Sequence, residues 1–399
     1  MSDNDNSITY ELQYTRWLLS VLGIWPLIST NVTRLGKLSS LLLMALSIFA
    51  ISFVLIPLII YTLTSVKTLR GKFTFIGPVC FRISNLLKLL TMAHRADLIK
   101  NCIEQMGNDW LEVIIQEDRE VMLKNVNVGR SLTVICAGFM FSSGTFFHVA
   151  MPLLRPRKLN AFNITIRPHL YPGYDIFVDS QATPAYEIIF AAHCFSAAGG
   201  YTIVTAACNL AAVFVSHVSG QVEVIGLKLQ RLHAPGDGQK IDTLGEQIAS
   251  IVQGHVKILK FSGSIKTVLR EICLVEVVLS TLVICWLEFY CLTEWHNSET
   301  ISIITYFLLL MSLTFNIFIY CYIGQILKDK CESVGLMAYL VDWHRIPTKY
   351  ILSLAFIISM TRYPRTISAG GLMELTIQSF GDVMKTSLAY LNMMRTLTM

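Results

Sequence analysis

Charge is what this sequence has least of. Asp, Glu, Lys and Arg together make up 15% of its 399 residues, against about 25% in ordinary soluble domains. Hydrophobic residues make up 53%. So little charge cannot cover a water-facing surface, which excludes a soluble globular chain of this length. The basic residues do not cluster, so a nucleic-acid face is excluded too. The ten cysteines contain no CxxC pair and fall mostly inside apolar runs. That spacing gives neither a zinc site nor a secreted disulfide framework, and such thiols pack as small hydrophobes. The first 37 residues lack the features of a signal peptide: Met1 to Asn6 is polar and acidic, and the apolar patch Trp17–Ile28 is broken by Gly23 and Pro26. There is no Gly-rich phosphate loop, nucleophile elbow or HExxH. No enzyme activity, metal or cofactor is expected.

Long apolar runs are what the chain does have. A helix needs about 20 apolar residues to cross the hydrocarbon core. Residues 38–64, 131–154, 186–219 and 301–327 satisfy this with little or no charge. The third of these is longer than one crossing needs and contains Gly199-Gly200, so tilt or a local bend is expected. Three further segments carry charge: 73–92 with Arg82 and Lys88, 267–292 with Arg270, Glu271, Glu276 and Glu288, and 367–397 with Glu374, Asp382, Lys385 and Arg395. Intramembrane charges are costly and face a bundle interior or water. The expected fold is therefore all-α with seven transmembrane helices. Residues of about 220–265 and 328–365 are expected to form helices beyond the bilayer. In the first of these, Ile241, Leu244, Ile248, Ile251, Val252, Leu259 and Ile265 recur near helical spacing. No internal repeat is visible, which weakens a transporter reading.

Lys and Arg favour cytoplasmic loops. With the N-terminus inside, twenty of the 32 lie in cytoplasmic segments, seven in outer loops and five in spans. This orientation is the reverse of a G-protein-coupled receptor. Asp118-Arg119-Glu120 sits before the third span, in a charged run that reads as a solvated helix, and the last span has no Asn-Pro-x-x-Tyr. The sequon at Asn163 falls in an outer loop and is a glycosylation candidate.

The C-terminal part carries a family resemblance. Tyr320-Cys321-Tyr322-Ile323-Gly324-Gln325, then Ser333-Val334-Gly335, Tyr339 and Asp342-Trp343-His344-Arg345-Ile346-Pro347 resemble the sixth-to-seventh span signature of insect odorant receptors. Ser368-Ala369-Gly370-Gly371 and Ser379-Phe380-Gly381-Asp382 through Arg395 resemble that family's last helix. His255 to Phe261 matches a weaker pattern. Related gustatory receptors end in Thr-Tyr, five residues, then Gln-Phe. Here the frame reads Ala389-Tyr390 and Thr396-Leu397, which favours an odour-tuned subunit. The chain also differs from the shared co-receptor, which lacks this Lys-Thr-Ser and carries a larger cytoplasmic insertion.

The resemblance implies a tetrameric odour-gated cation channel in the plasma membrane of a sensory-neuron dendrite, assembled with the odorant co-receptor. The last helix would line the pore, and cytoplasmic helices would anchor the subunits. On that helix Gln378, Asp382, Thr386, Ala389, Met393 and Leu397 share one face at spacings of three or four. That face is polar at one end and apolar at the other, which suits a vestibule closed by a hydrophobic gate. Asp382 is equally readable as a helix pair with Lys385. The odorant pocket, implied among spans two, three, four and six, has as candidates Phe73, Phe75, Phe141, Phe146, Phe147, Met151, Tyr186, Phe190, Tyr306, Phe307 and Met311. His148 and His193 are candidate hydrogen-bond donors to a volatile, mostly apolar ligand. The alternatives are a seven-span receptor signalling through a soluble transducer, a gustatory-type channel and a transporter.

Overall fold

A computed structural model describes residues 3–29, 33–154, 158–159, 165–167, 169–232, 241–293 and 300–398. Twelve helices account for most of these residues: α1 (Asp3–Val21), α2 (Trp25–Ile28), α3 (Arg34–Thr64), α4 (Leu69–His94), α5 (Ala96–Glu112), α6 (Gln116–Thr145), α7 (Met151–Leu154), α8 (Ala185–Gln230), α9 (Ile241–Thr293), α10 (Thr300–Tyr339), α11 (Thr348–Thr361) and α12 (Ile377–Thr398). A π-helical turn, Phe146–Ala150, joins α6 to α7. Two 3-10 turns, Tyr174–Ile176 and Trp343–Arg345, and two antiparallel hairpins, β1 (Lys158–Leu159) with β2 (Thr165–Ile166) and β3 (Ser368–Ala369) with β4 (Met373–Glu374), are the other elements among the described residues. Asn163, the glycosylation candidate, lies outside the described residues.

Among the described residues, α3, α4, α6, α8, α9 and α10 are long and apolar enough to cross a membrane. At 22 residues, α12 is about 33 Å long at 1.5 Å per residue, sufficient in length but more polar than the other six. The chain is thus a nearly all-helical membrane protein. Each long helix has a local cause. Thr33 caps α3 by accepting from the Gly36 amide at 3.2 Å, and Thr68 caps α4 in the same way through Gly71. The outward face of α3 exposes Leu35, Leu38, Leu42, Phe49 and Leu63, as lipid contact requires.

The hub is α8, buried on nearly all sides from Ile203 to Gly220. Its Ala-, Gly- and Ser-rich sequence lets α6, α9 and α10 approach closely. It runs unbroken through Gly199 and Gly200 and on to Gln230. At one end of the bundle α1, α5, α8 and α9 share a buried polar cluster. There Glu11 Oε2 accepts from Trp110 Nε1 at 2.6 Å, while the His217 ring spans Glu11 and Asp109 at 3.2 and 3.1 Å. Lys257 reaches Asp109 at 2.7 Å. Burial alone raises the Asp109 carboxyl, but the hydrogen bonds from His217 and Lys257 outweigh it and hold the group below its usual range.

The stretch leading into α12 departs from the sequence expectation of one span over 367–397. The helix begins only at Ile377, because Gly370 and Gly371 take left-handed φ of 64° and 80° and turn the chain between β3 and β4. That hairpin is tied to α9: the Gly370 amide donates to Arg270 O at 2.9 Å, and Arg270 Nε donates back to Gly370 O at 3.2 Å. Arg270 is therefore a docking residue rather than a bare charge in a span.

One pair of intramembrane charges is also answered from within. Lys88 of α4 forms an ion pair with Glu276 of α9, both almost fully buried. Glu276 also accepts from Asn316 Nδ2 of α10 at 2.8 Å and from Ser280 Oγ at 2.7 Å. Removing one partner of such a pair leaves an unpaired buried charge and costs about 3–5 kcal/mol, whereas replacing both by apolar groups is often neutral. Lys88→Met should therefore lower the melting temperature of the detergent-solubilised protein, and Lys88→Met with Glu276→Met should recover most of the loss. Equal melting for the single and double variants would contradict this pairing.

Candidate ligand site

The inner surfaces of α4, α6, α8, α9 and α10 converge on a small, mostly apolar cavity. It is lined by Gly77, Pro78 and Phe81 of α4, Met140 and Ser143 of α6, Phe147 and His148 of the π turn, Tyr171 of the following loop and Tyr201 of α8. Val283, Trp286 and Leu287 of α9 and Leu309, Ser312 and Leu313 of α10 close it. Its volume is about 50 Å³, on the measure by which one water needs ~10–15 Å³. Ring-to-ring contacts build the wall: Phe147 meets Tyr306 at 5.8 Å, and Tyr306 meets Trp286 at 5.8 Å and Tyr290 at 4.0 Å.

One side of the cavity is polar, and His148 is its centre. The π turn swings this ring inward. Its Nδ1 lies 3.1 Å from Gly144 O and 3.0 Å from Tyr201 Oη, and its Nε2 lies 3.3 Å from Arg82 Nη2 and 3.2 Å from Tyr171 Oη. A guanidinium can only donate. Nε2 must therefore accept, and the proton is assigned to Nδ1, which donates to the Gly144 carbonyl. Behind His148, Arg82 is fully buried. Its Nη1 donates to Ser196 Oγ at 3.0 Å, and its guanidinium carbon sits 5.5 Å from the centre of the Tyr171 ring. Among the described residues no carboxylate stands within ion-pair distance of it. The arrangement offers an apolar ligand a concave, mostly apolar pocket with few polar groups, the usual form of a small-molecule site. Among the described residues no cluster of three or more His, Cys, Asp or Glu could hold a metal.

The model of the family described as 7tm Odorant receptor matches residues 72–388. The chain belongs to the odorant receptor family. This is a family of receptors rather than enzymes. Curated relatives include Odorant receptor 85c of Drosophila melanogaster, 25% identical over 150 residues, 38% of each chain. Odorant receptor Or2 of Anopheles gambiae is 23% identical over 293 residues, 69% of this chain and 71% of that one. The alignment to the first-named relative spans well under half of its length, and that to Odorant receptor 85b of Drosophila melanogaster spans 49%. The fold matches the olfactory receptor OR5 of Machilis hrabei in complex with eugenol, with a TM-score of 0.73, 12% identity and coverage of 98% of this chain and 100% of that one.

In this receptor Phe147 and His148 line the cavity, and Met151 and Tyr306 are buried beside it. Four other pocket candidates are packed elsewhere. Phe73 meets Phe289 at 6.4 Å, Phe75 meets Tyr61 at 5.6 Å, and Tyr186 stacks on Phe190 at 6.4 Å. His193 is buried, with Tyr174 Oη 3.1 Å from its Nε2. Phe141 and Phe146 line an outer groove, while Phe307 and Met311 are 54% and 48% exposed. Sequence reasoning missed Tyr201, Trp286, Phe81 and Tyr171. An indole within a span was the available signal for Trp286, because a buried N–H needs a reason to be there. On α12, Gln378, Asp382, Thr386, Ala389 and Met393 are exposed, and the opposite face (Val383, Ser387 and Leu391) is buried. Asp382 lies 3.6 Å from Lys385. The Leu397 side chain lies outside the described set.

The Tyr201 ring is seated on Gly144, where a methyl group would overlap it, while Gly138 on the same helix has nothing within 4 Å. Gly144→Ala should therefore cost about 1–3 kcal/mol by overpacking. Gly138→Ala should gain up to ~1 kcal/mol of helix propensity. Melting temperatures that move the same way for both variants would contradict this seating of Tyr201.

Proposed function

We propose that this receptor is the odour-binding subunit of an odour-gated, non-selective cation channel, assembled with the odorant co-receptor in the plasma membrane. The observation that carries the reading is the position of α9, which touches the cavity with one face and α12 with another. Val283, Trp286 and Leu287 line the cavity. Between and beside them, Glu288 accepts from Ser387 Oγ at 3.2 Å, Cys285 meets Met394 at 3.5 Å, and Cys285 and Phe289 pack with Leu391. A molecule that displaces Trp286 therefore acts on the same helical turn that holds α12.

The outward face of α12 supports the pore role. The line Gln378, Asp382, Thr386, Ala389 and Met393 is exposed among the described residues. Polar groups at one end of it, and Met393 at the other, fit a wetted vestibule leading to a hydrophobic neck, which gates by excluding water. Other members of the assembly would supply the rest of that neck. The odorant would enter as a small apolar molecule, and the π turn with His148 would orient it. The receptor is read here with its N-terminus cytoplasmic, on the Lys and Arg distribution. Residue 163 would then be extracellular.

Expression in a heterologous cell tests this. Odour should evoke a cation current when the co-receptor is present and negligible current without it; robust odour-gated current from this chain alone contradicts the assembly. Met393→Ser should raise the basal leak of the co-assembled channel with odour ranking unchanged. Met394→Ser, whose side chain packs on Cys285, should affect stability more than conduction. Unchanged leak in Met393→Ser at normal surface expression would remove Met393 from the gate.

A further inference from the structure

The polar side of the cavity holds two buried donors, Arg82 Nε and Trp286 Nε1, that have no acceptor among the described residues. His148 Nε2 offers one lone pair, and two donors face it, Arg82 Nη2 at 3.3 Å and Tyr171 Oη at 3.2 Å. Only one of them can use it at a time. Among the described residues Arg82 Nε is buried without an acceptor, and so is the indole Nε1 of Trp286, a cavity-lining side chain that is 95% buried. The hydroxyl protons of the two lining serines are directed elsewhere: Ser143 donates to Phe139 O at 2.8 Å and Ser312 to Met140 Sδ at 3.3 Å.

Charge points the same way as the count of donors. Arg82 is 0% exposed, and a guanidinium is a cationic group that only donates hydrogen bonds. Buried charges are ordinarily paired, as Lys88, six residues further along α4, is with Glu276 of α9. Arg82 instead faces a hydroxyl, an imidazole lone pair and the Tyr171 ring. A fixed positive charge with no acid beside it, one side chain behind the wall of an apolar cavity, favours a ligand that brings the missing negative charge.

Resting on the reading of this cavity as the odorant site, we infer that the receptor is tuned to carboxylic acids, bound as the anion with an aliphatic tail. The carboxylate seats at the His148–Tyr171 edge. The Tyr171 hydroxyl turns from His148 Nε2 onto a carboxylate oxygen and leaves that nitrogen to Arg82. Arg82 supplies the countercharge from behind, and the Trp286 N–H supplies a further donor. The tail lies against Phe81, Leu287 and Leu313. Alcohols and hydrocarbons of equal length satisfy the apolar wall but not the donors.

The test is a ranking. Cells co-expressing this chain and the co-receptor are challenged with linear acids of four to ten carbons and with the methyl esters, aldehydes and alcohols of matched length, and the evoked current is recorded. Hydrogen bonds to a charged group predict that the best acid acts at roughly 10- to 100-fold lower concentration than its alcohol. Arg82→Gln should remove that advantage while Arg82→Lys keeps part of it. If neither variant reaches the surface, Trp286→Phe, which deletes the N–H and keeps an aromatic ring, should narrow the gap. Acids that are silent, or no better than alcohols, overturn the inference whatever the variants do. Leu313→Trp and Met140→Trp, which fill the cavity, test the underlying reading. If either reaches the surface and responds like the parent, the cavity is not the odorant site. If both are silent and Arg82→Gln leaves the ranking unaltered, only the carboxylate assignment falls.

Discussion

A charge inside a bilayer must be answered by a group of the same protein, and that constraint organises this bundle. Lys88, Glu276 and Asn316 come from three different helices and meet at one point. Their meeting fixes the rotation of α4, α9 and α10 about their own axes, because a helix turned by one residue (about 100°) would point its charge at lipid. Once those rotations are set, Gly77 and Phe81 of α4, Trp286 of α9 and Leu313 of α10 must face a common space. The cavity is thus a consequence of where the charges pair. Arg82 is the exception that marks it, six residues before Lys88 on α4 and buried with a histidine and a serine where Lys88 has an acid.

The same logic connects the cavity to the last helix. Along α9 the residues at 283, 286 and 287 belong to the cavity, while those at 285, 288 and 289 belong to the contact with α12. One helical turn serves both. Lower on α9, Arg270 holds the Gly370-Gly371 turn that aims α12. The strut is therefore fastened to the last helix at its start and along its length, and the opposite face of α12 is exposed among the described residues.

Much of this was legible before any coordinates. Uninterrupted apolar runs mark the long helices because no water-soluble packing would tolerate them. The distinction between Met393 and Met394 follows from spacing alone: one is exposed, and the other packs on Cys285. The hairpin at 368–374 was hidden because Ile367, Leu372 and Met373 are as apolar as a span, and only the left-handed glycines reveal the turn. The pocket was the least legible part. Phe307 and Phe147 carry the same chemistry, yet one is exposed and the other lines the cavity. In a membrane, apolarity does not distinguish inside from outside. On α8 the difficulty is greater, since nearly every face is buried and no polar stripe shows that Tyr201 points to a ligand. Trp286 lies on the fifth span, which the expectation of a pocket among spans two, three, four and six leaves out.

The account stands or falls on whether odour opens a pathway along the free face of α12. The direct measurement is the rate at which a small, membrane-impermeant thiol reagent modifies Met393→Cys in channels assembled with the co-receptor, with and without odour, alongside Leu391→Cys. Met393 is 53% exposed and Leu391 5%. The account predicts that odour accelerates the reaction at position 393 and leaves position 391 slow in both conditions. Equal rates at 393 with and without odour, or faster reaction at 391 than at 393, would contradict it.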